Sequence, residues 1–280
     1  MSRDEVESCL DAWRDRTDLS KDDMFHLIKI FNRAMLSNVT GPDCTDRMVC
    51  QDNCCSIMID IPDFLAWAYV EGGYLEPHQI RRGTVFAWTL SVDPVWSDCV
   101  FLDRDSRKCR IYVENLDIRP PQCAVYPAGF IKGNQSCKGK AGPWTIIDIH
   151  VGNACKELME IYKMHALREF KMMERSIVET LTARLKPVMQ EIACFRPSKI
   201  AGIRDAWEGF TILEAEGISL SLSRICRRVN PKCITPFTTC KSLCNQVASF
   251  FEENIPNALA TIIQEDGMKE KYLLKDLVFP

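Results

Sequence analysis

The chain has 280 residues, of which 46% are hydrophobic, and a net charge of -3. That composition excludes a disordered chain, which could not bury enough apolar surface to offset its ordering entropy, and it leaves room for one large domain or two modest ones. It also speaks against nucleic-acid binding. The basic residues gather only into short pairs, Arg81-Arg82 and Arg227-Arg228, whereas binding a phosphate backbone needs a clustered basic face.

The first residues, Met-Ser-Arg-Asp-Glu-Val-Glu-Ser, are charged and lack an apolar signal core. No apolar run approaches the ~18–20 residues that a membrane helix needs, so no membrane span is expected. Both features lead to the expectation of a cytoplasmic protein. Fifteen cysteines are then hard to explain as disulfides, because that compartment is reducing. A single thiol is readily explained as a small buried hydrophobe. A cluster of them points instead to metal.

In chain order, Ser2 to Trp13 reads as a short helix with a Ser2/Glu5 capping box. Cys9 is alone there and reads as packed. A second helix runs from about Asp22 to Leu36, with Ser20 as N-cap and an apolar stripe of Phe25, Ile28, Phe31 and Met35. Gly41-Pro42-Asp43 breaks it and opens a loop holding Cys44, Cys50, Cys54 and Cys55. Ser56 to Ile61 suggests a strand. Pro62-Asp63 starts a helix that ends near Gly72-Gly73. Thr84 to Val92 reads as a strand, and Cys99–Asp103 with Cys109–Val113 as the arms of a hairpin. Arg119 to Cys123 reads as extended, because a residue before proline avoids the helical region. Cys137 falls in a Gly/Lys loop. Thr145 to Val151, which includes His150, alternates like a strand, and Cys155 opens the next helix.

The longest helix is expected from about Asn153 towards Ile192, where apolar residues recur every three or four positions, with Pro187 kinking or interrupting it. A connector follows over Pro197 to Gly209. The last part holds a second group, Cys226-x6-Cys233-x6-Cys240-x3-Cys244, with Cys240 and Cys244 one turn apart on a helix. From Pro256 the tail reads as a short helix and an extended end. The fold class is therefore α+β: a small cysteine-rich domain over residues 1–156, with short strands and a hairpin, then a mainly helical part over 157–280.

Thiolates are soft ligands that suit zinc or iron–sulfur chemistry and suit magnesium or calcium badly. The first half offers Cys44, Cys50, Cys54, Cys55, Cys99, Cys109, Cys123, Cys137 and Cys155, more than one tetrahedral ion can use. Two metals or a polynuclear cluster follow. The adjacent pair Cys54-Cys55 fits this, because neighbouring side chains diverge and serve two metal positions more easily than one. Cys226, Cys233, Cys240 and Cys244 supply a separate set of four. His150 lies close enough to Cys155 to extend a site, and His78 and His165 are weaker candidates. Asp63 and Asp98 are expected to hydrogen-bond the ligand loops.

These residues resemble the YkgJ-type cysteine-cluster proteins, a zinc- or iron-chelating family. The likeness rests on the cluster Cys44, Cys50, Cys54 and Cys55, on Asp63 in the helix after it, on Cys99-Val-Phe-Leu and Cys109-Arg-Ile-Tyr, and on Arg119-Pro120 with Cys123 and Tyr126-Pro127. It covers roughly residues 40 to 156. The gaps of five and three residues between the leading thiols are wider than is usual in that family. The resemblance implies Cys50, Cys54, Cys55, Cys99, Cys109 and Cys123 as ligands. One branch is similar to the flagellin lysine N-methylases, which implies protein lysine methylation as an alternative activity.

Several enzyme signatures are missing. There is no Gly-x-Gly-x-x-Gly after a strand, no P-loop and no Cys-x2-Cys, and a radical-type Cys-x3-Cys-x2-Cys fails because position 57 is Ile57. The expectation is a metalloprotein with a [4Fe-4S]-type iron–sulfur cluster, redox-active or cluster-dependent, working with a protein or redox partner. The alternatives are the methylase and a zinc-stabilised interaction module.

Overall fold

The computed structural model describes residues 3–42, 55, 57–92, 98–126, 128–130, 144–195, 213–214, 218–230, 233, 237–240, 243–267, 269 and 272–278. The chain forms two compact units, one of Met1–Ile80 with Trp88–Arg168 and one of Arg81–Ala87 with Glu169–Pro280. The fold is α+β, with a few short strands in the N-terminal half and a mainly helical C-terminal part. No helix among the described residues is long and apolar enough to cross a membrane.

In the first unit, α1 (Arg3–Trp13) turns Val6, Leu10 and Trp13 inward. The proposed cap at Ser2 lies outside the described residues. α2 (Lys21–Asn38) starts where the sequence says it should. The Ser20 hydroxyl accepts the Asp23 N–H at 3.1 Å, and the Asp23 carboxylate accepts the Ser20 N–H at 2.9 Å. This reciprocal cap satisfies two donors that the first turn leaves over, and is worth about 1 kcal/mol. Met24, Leu27, Ile28, Phe31, Ala34 and Met35 then bury one face at helical spacing. Asn32 is buried on the same helix, and its amide donates to the Leu116 and Arg119 carbonyls at 2.9 and 2.8 Å.

β1 (Val39–Thr40) pairs antiparallel with β5 (Thr145–Ile146). Glycine is required at Gly41 between β1 and the cysteine loop, because a Cβ there would run into the Trp144 ring. A three-stranded sheet has the order β2 (Asp60–Ile61), β4 (Trp88–Leu90), β3 (Ile80–Arg82), with Ile61 opposite Trp88. α3 (Asp63–Glu71) begins behind Pro62 and buries Phe64, Leu65, Ala66 and Tyr69. It stops at Gly72-Gly73, where Gly73 takes φ +71°, a conformation that a side chain would strain.

Four local expectations are corrected. The polar turn after Cys99 exists: Asp103 N–H donates to Lys108 C=O at 2.9 Å, and Leu102 bridges Cys109. Beyond Cys109, however, the chain is helix, α4 (Arg110–Glu114), which buries Ile111 and leaves Tyr112 and Val113 exposed. One inward residue per turn suits a helix, whereas a strand needs a partner along its edge. Arg119 and Pro120 are extended as expected, but Pro121 begins α5 (Pro121–Val125), because proline's missing N–H costs nothing in a first helical turn. The strand at Thr145 stops at Ile146, and α6 (Ile149–Phe195) starts before His150. His150 is thus helical, and Cys155 lies inside that helix.

The fourth correction concerns the second unit. Cys240 closes a turn, its N–H donating to Phe237 C=O at 3.0 Å, while Cys244 is the extended N-cap of α8 (Asn245–Asp266). The two thiols therefore do not share a helix face. α8 continues through Pro256, because its Val247, Phe251, Ile255 and Leu259 face is buried and holds the helix together across the missing hydrogen bond. α7 (Ile218–Val229), α8 and the second half of α6 build the core of this unit from Leu181, Leu185, Leu222, Ile225, Phe251 and Leu259. β6 (Leu213–Glu214) pairs parallel with β7 (Tyr272–Leu273), and α9 (Leu274–Val278) ends the described chain.

Candidate metal centre

The thiols of the first unit are delivered by separate elements. Cys55 closes the cysteine loop, and its carbonyl accepts the Cys99 N–H at 2.5 Å. Cys99 also bridges Val92, and Leu102 N–H donates to its carbonyl at 2.9 Å, which fixes the backbone on both sides of the thiol. Cys109 is the N-cap of α4. Cys123 sits in α5, where its N–H donates to Pro120 C=O at 2.9 Å and its carbonyl accepts the Arg119 guanidinium at 2.6 Å. The Asn32 amide holds the approach to this turn from below, through the Arg119 carbonyl.

Tyr69 is the common neighbour. It is fully buried on α3, and its hydroxyl donates to Ile118 C=O at 2.7 Å. Burial pushes its ionisation well above the ordinary range, Tyr162 adds to this, and so does negative charge on Cys123, Cys109 and Cys99. Its ring also meets Phe101 edge-on at 5.0 Å, so Tyr69 touches the chain beside Cys99 and the approach to Cys123. Sequence reasoning passed over this residue. Its only signal was an aromatic on the inward face of the helix that follows the loop, at the spacing of Leu65 and Phe64.

Burial pushes the Cys99 thiol up to about 11, although the Phe101 N–H favours its thiolate; Cys109 and Asp98 push further, and Arg110 pulls back. Arg110 donates to Val100 C=O at 3.2 Å, which keeps its guanidinium beside this segment. A metal that binds such a thiol must displace its proton, because the thiolate is the ligand.

The remaining candidates fall in different places. Cys44, Cys50, Cys54 and Cys137 lie outside the described residues. Cys155 is fully buried on α6 and is pushed up to about 12 by burial alone. Asp63 accepts the Trp88 indole N–H at 2.8 Å, and Asp98 pairs with Arg104 at 3.2 Å. His150 is exposed in the first turn of α6, its N–H donating to Asp148. His165 stacks edge-on against Phe64, and its protonation is disfavoured by burial and by Arg168. His78 lies in a short 3-10 turn, Pro77–Gln79.

In the second unit, Cys226 ends α7, Cys233 and Cys240 sit in the following turns, and Cys244 caps α8. Burial raises the Cys226 thiol to about 11; Arg82 opposes this, and Cys244, Cys240 and Cys233 reinforce it. Cys226 and Cys244 pack against the same core. Even so, no three His, Cys, Asp or Glu side chains among the described residues stand at metal-ligand spacing.

Residues 43–139 match the family model CxxCxxCC, described as "Putative zinc- or iron-chelating domain". This stretch is similar to a cysteine-cluster domain. Its name spells two single thiols and then an adjacent pair, and this chain keeps that order with wider gaps, as Cys44-x5-Cys50-x3-Cys54-Cys55. The cysteine-cluster domain takes in every first-half candidate except Cys155, and it ends well before Cys226. No curated protein and no solved structure matches the chain significantly.

The donors of the cysteine-cluster domain fit a soft metal. Cys55, Cys99, Cys109 and Cys123 offer sulfur, with Arg110 nearby to balance negative charge. The domain's description supports metal binding in general, as zinc or iron chelation.

Proposed function

We propose that the cysteine-cluster domain holds an iron–sulfur cluster, or clusters, through Cys50, Cys54, Cys55, Cys99, Cys109 and Cys123, with Cys44 and Cys137 as further ligands, and that the protein acts in the cytoplasm as a redox or cluster-dependent protein with a protein or redox partner. The observation that supports this reading is the backbone tie from Cys99 N–H to Cys55 C=O, with Leu102 bridging Cys109 and Tyr69 reaching both Phe101 and the Ile118 carbonyl. Cys55 and Cys99 are joined through the backbone, and Cys54 stands next to Cys55 in sequence. The proposed set holds more sulfur than one tetrahedral ion uses. Cys155, inside α6 and beyond residues 43–139, is a further candidate.

When bound, such a cluster supplies one-electron chemistry at a potential set by its surroundings. The chain's own contribution is distinct. The Phe101 N–H stabilises the Cys99 sulfur as a thiolate, Arg110 offsets negative charge, and burial around Cys99 and Tyr69 limits water. Iron and acid-labile sulfide analysis of protein purified without oxygen tests the reading.

A further inference from the structure

Cys226, Cys233, Cys240 and Cys244 lie beyond residues 43–139, and the cysteine-cluster domain does not account for them. Their backbones are set by a chain of local bonds. Asn230 N–H donates to Cys226 C=O at 2.9 Å, Cys233 N–H to Asn230 C=O at 3.1 Å, and Cys240 N–H to Phe237 C=O at 3.0 Å. The Asn230 side chain donates to Gln246 at 3.2 Å, which ties the end of α7 to the start of α8. Phe237 and Leu243 are buried between the thiols and anchor the loop. The Arg82 guanidinium donates to the Cys240 carbonyl. Cys226 and Cys244, one from each helix, pack against the same buried core of Leu222, Ile225, Val247 and Phe251.

We propose that these four cysteines form a second metal site, a closed four-thiolate site for one soft divalent cation of zinc type, clamping the C-terminal end of α7 to the N-terminal end of α8. Four sulfurs complete a tetrahedron with no open position, which assigns the site to structure rather than catalysis. Two features lower the cost of gathering four thiolates. Cys244 stands at a helix N-terminus, where the backbone dipole favours negative charge, and Arg82 brings a fixed positive charge. The described side chains are not at ligand spacing, so loading requires the thiols to rotate towards a common centre.

The test uses the wild-type full chain with zinc as the only added metal. It is alkylated with and without a zinc chelator, and labelled cysteines are mapped by peptide mass spectrometry. The four C-terminal thiols should label together and roughly tenfold or more slowly when zinc is present, because a metal-held thiolate is not free to attack. Cys9 should label equally in both. Full-length C233S should lose one zinc per chain while its N-terminal thiols keep their own pattern. Equal labelling of the four with and without zinc overturns the proposal. So does protection that follows iron and sulfide in place of zinc. The N-terminal peptides report separately on the cysteine-cluster domain, so failure of one reading is distinguishable from failure of the other.

Discussion

The Cys99 N–H donates to the Cys55 carbonyl at 2.5 Å, joining the cysteine loop to the strand-and-turn segment that carries the next ligand. The bond sets the backbones of Cys55 and Cys99 side by side, as the proposed shared centre requires. Replacing Cys54 and Cys55 by serine should remove bound metal and destabilise the N-terminal unit, because binding energy at a thiolate site is also folding energy. Metal content and thermal unfolding of C54S/C55S check this. Unchanged metal content would defeat the ligand assignment. C9S should keep its metal, since Cys9 is alone on α1.

Tyr69 supports the centre without ligating it. Tyr69→Phe removes the hydrogen bond to the Ile118 carbonyl and should cost about 1–3 kcal/mol, the usual penalty for stripping a buried acceptor of its donor. Metal stoichiometry should stay the same. Urea unfolding of metal-free protein gives the first quantity, and elemental analysis the second. Loss of metal with no loss of stability would assign Tyr69 a different role.

Asn32 acts at one remove. Its amide holds the Leu116 and Arg119 carbonyls, which set the path into Pro121 and Cys123. Asn32→Ala should destabilise by about 1–3 kcal/mol and speed metal loss to a chelator, because Cys123 is no longer held in place. A variant that unfolds earlier but releases metal at the wild-type rate would separate Asn32 from the site.

What was legible in the sequence was local. The Ser20 N-cap depends on local sequence, and so do the α3 boundaries at Pro62 and Gly72-Gly73, so pattern alone placed both; the reciprocal Asp23 bond came with the structure. The hairpin arm at Arg110–Val113 was misread because Ile111 and Val113 alternate as in a strand, while tertiary packing buries only Ile111. Cys240 and Cys244 were placed on one helix from their spacing, yet the helix begins only after Cys244. The cysteine spacing announced a soft-metal site, and the family match over residues 43–139 agrees with that. That Tyr69 reaches both Ile118 and Phe101 depends on tertiary contacts that no spacing encodes.

Burial of the thiols also gives a pH dependence. Cys99 is raised to about 11 from an ordinary value of 9.0. In the metal-free chain the folded state therefore binds more protons than the unfolded state between these values. The stability tied to the neutral thiol is fully present below pH 9.0 and is lost as pH rises through about 11. Metal-free protein should unfold at lower urea at pH ~10 than at pH ~8. Metal binding runs the other way. Each bound thiol gives up a proton, so retention should weaken as pH falls, with protons released on loading. Proton release measured during metal addition checks the sign, and no release would contradict thiol ligation.

The most direct test is the metal, acid-labile sulfide and visible spectrum of protein purified without oxygen. The account predicts iron with sulfide and a broad brown absorption that C54S/C55S abolishes. Zinc in the N-terminal thiols, with no sulfide and no colour, would contradict it and make the cysteine-cluster domain a zinc-stabilised module.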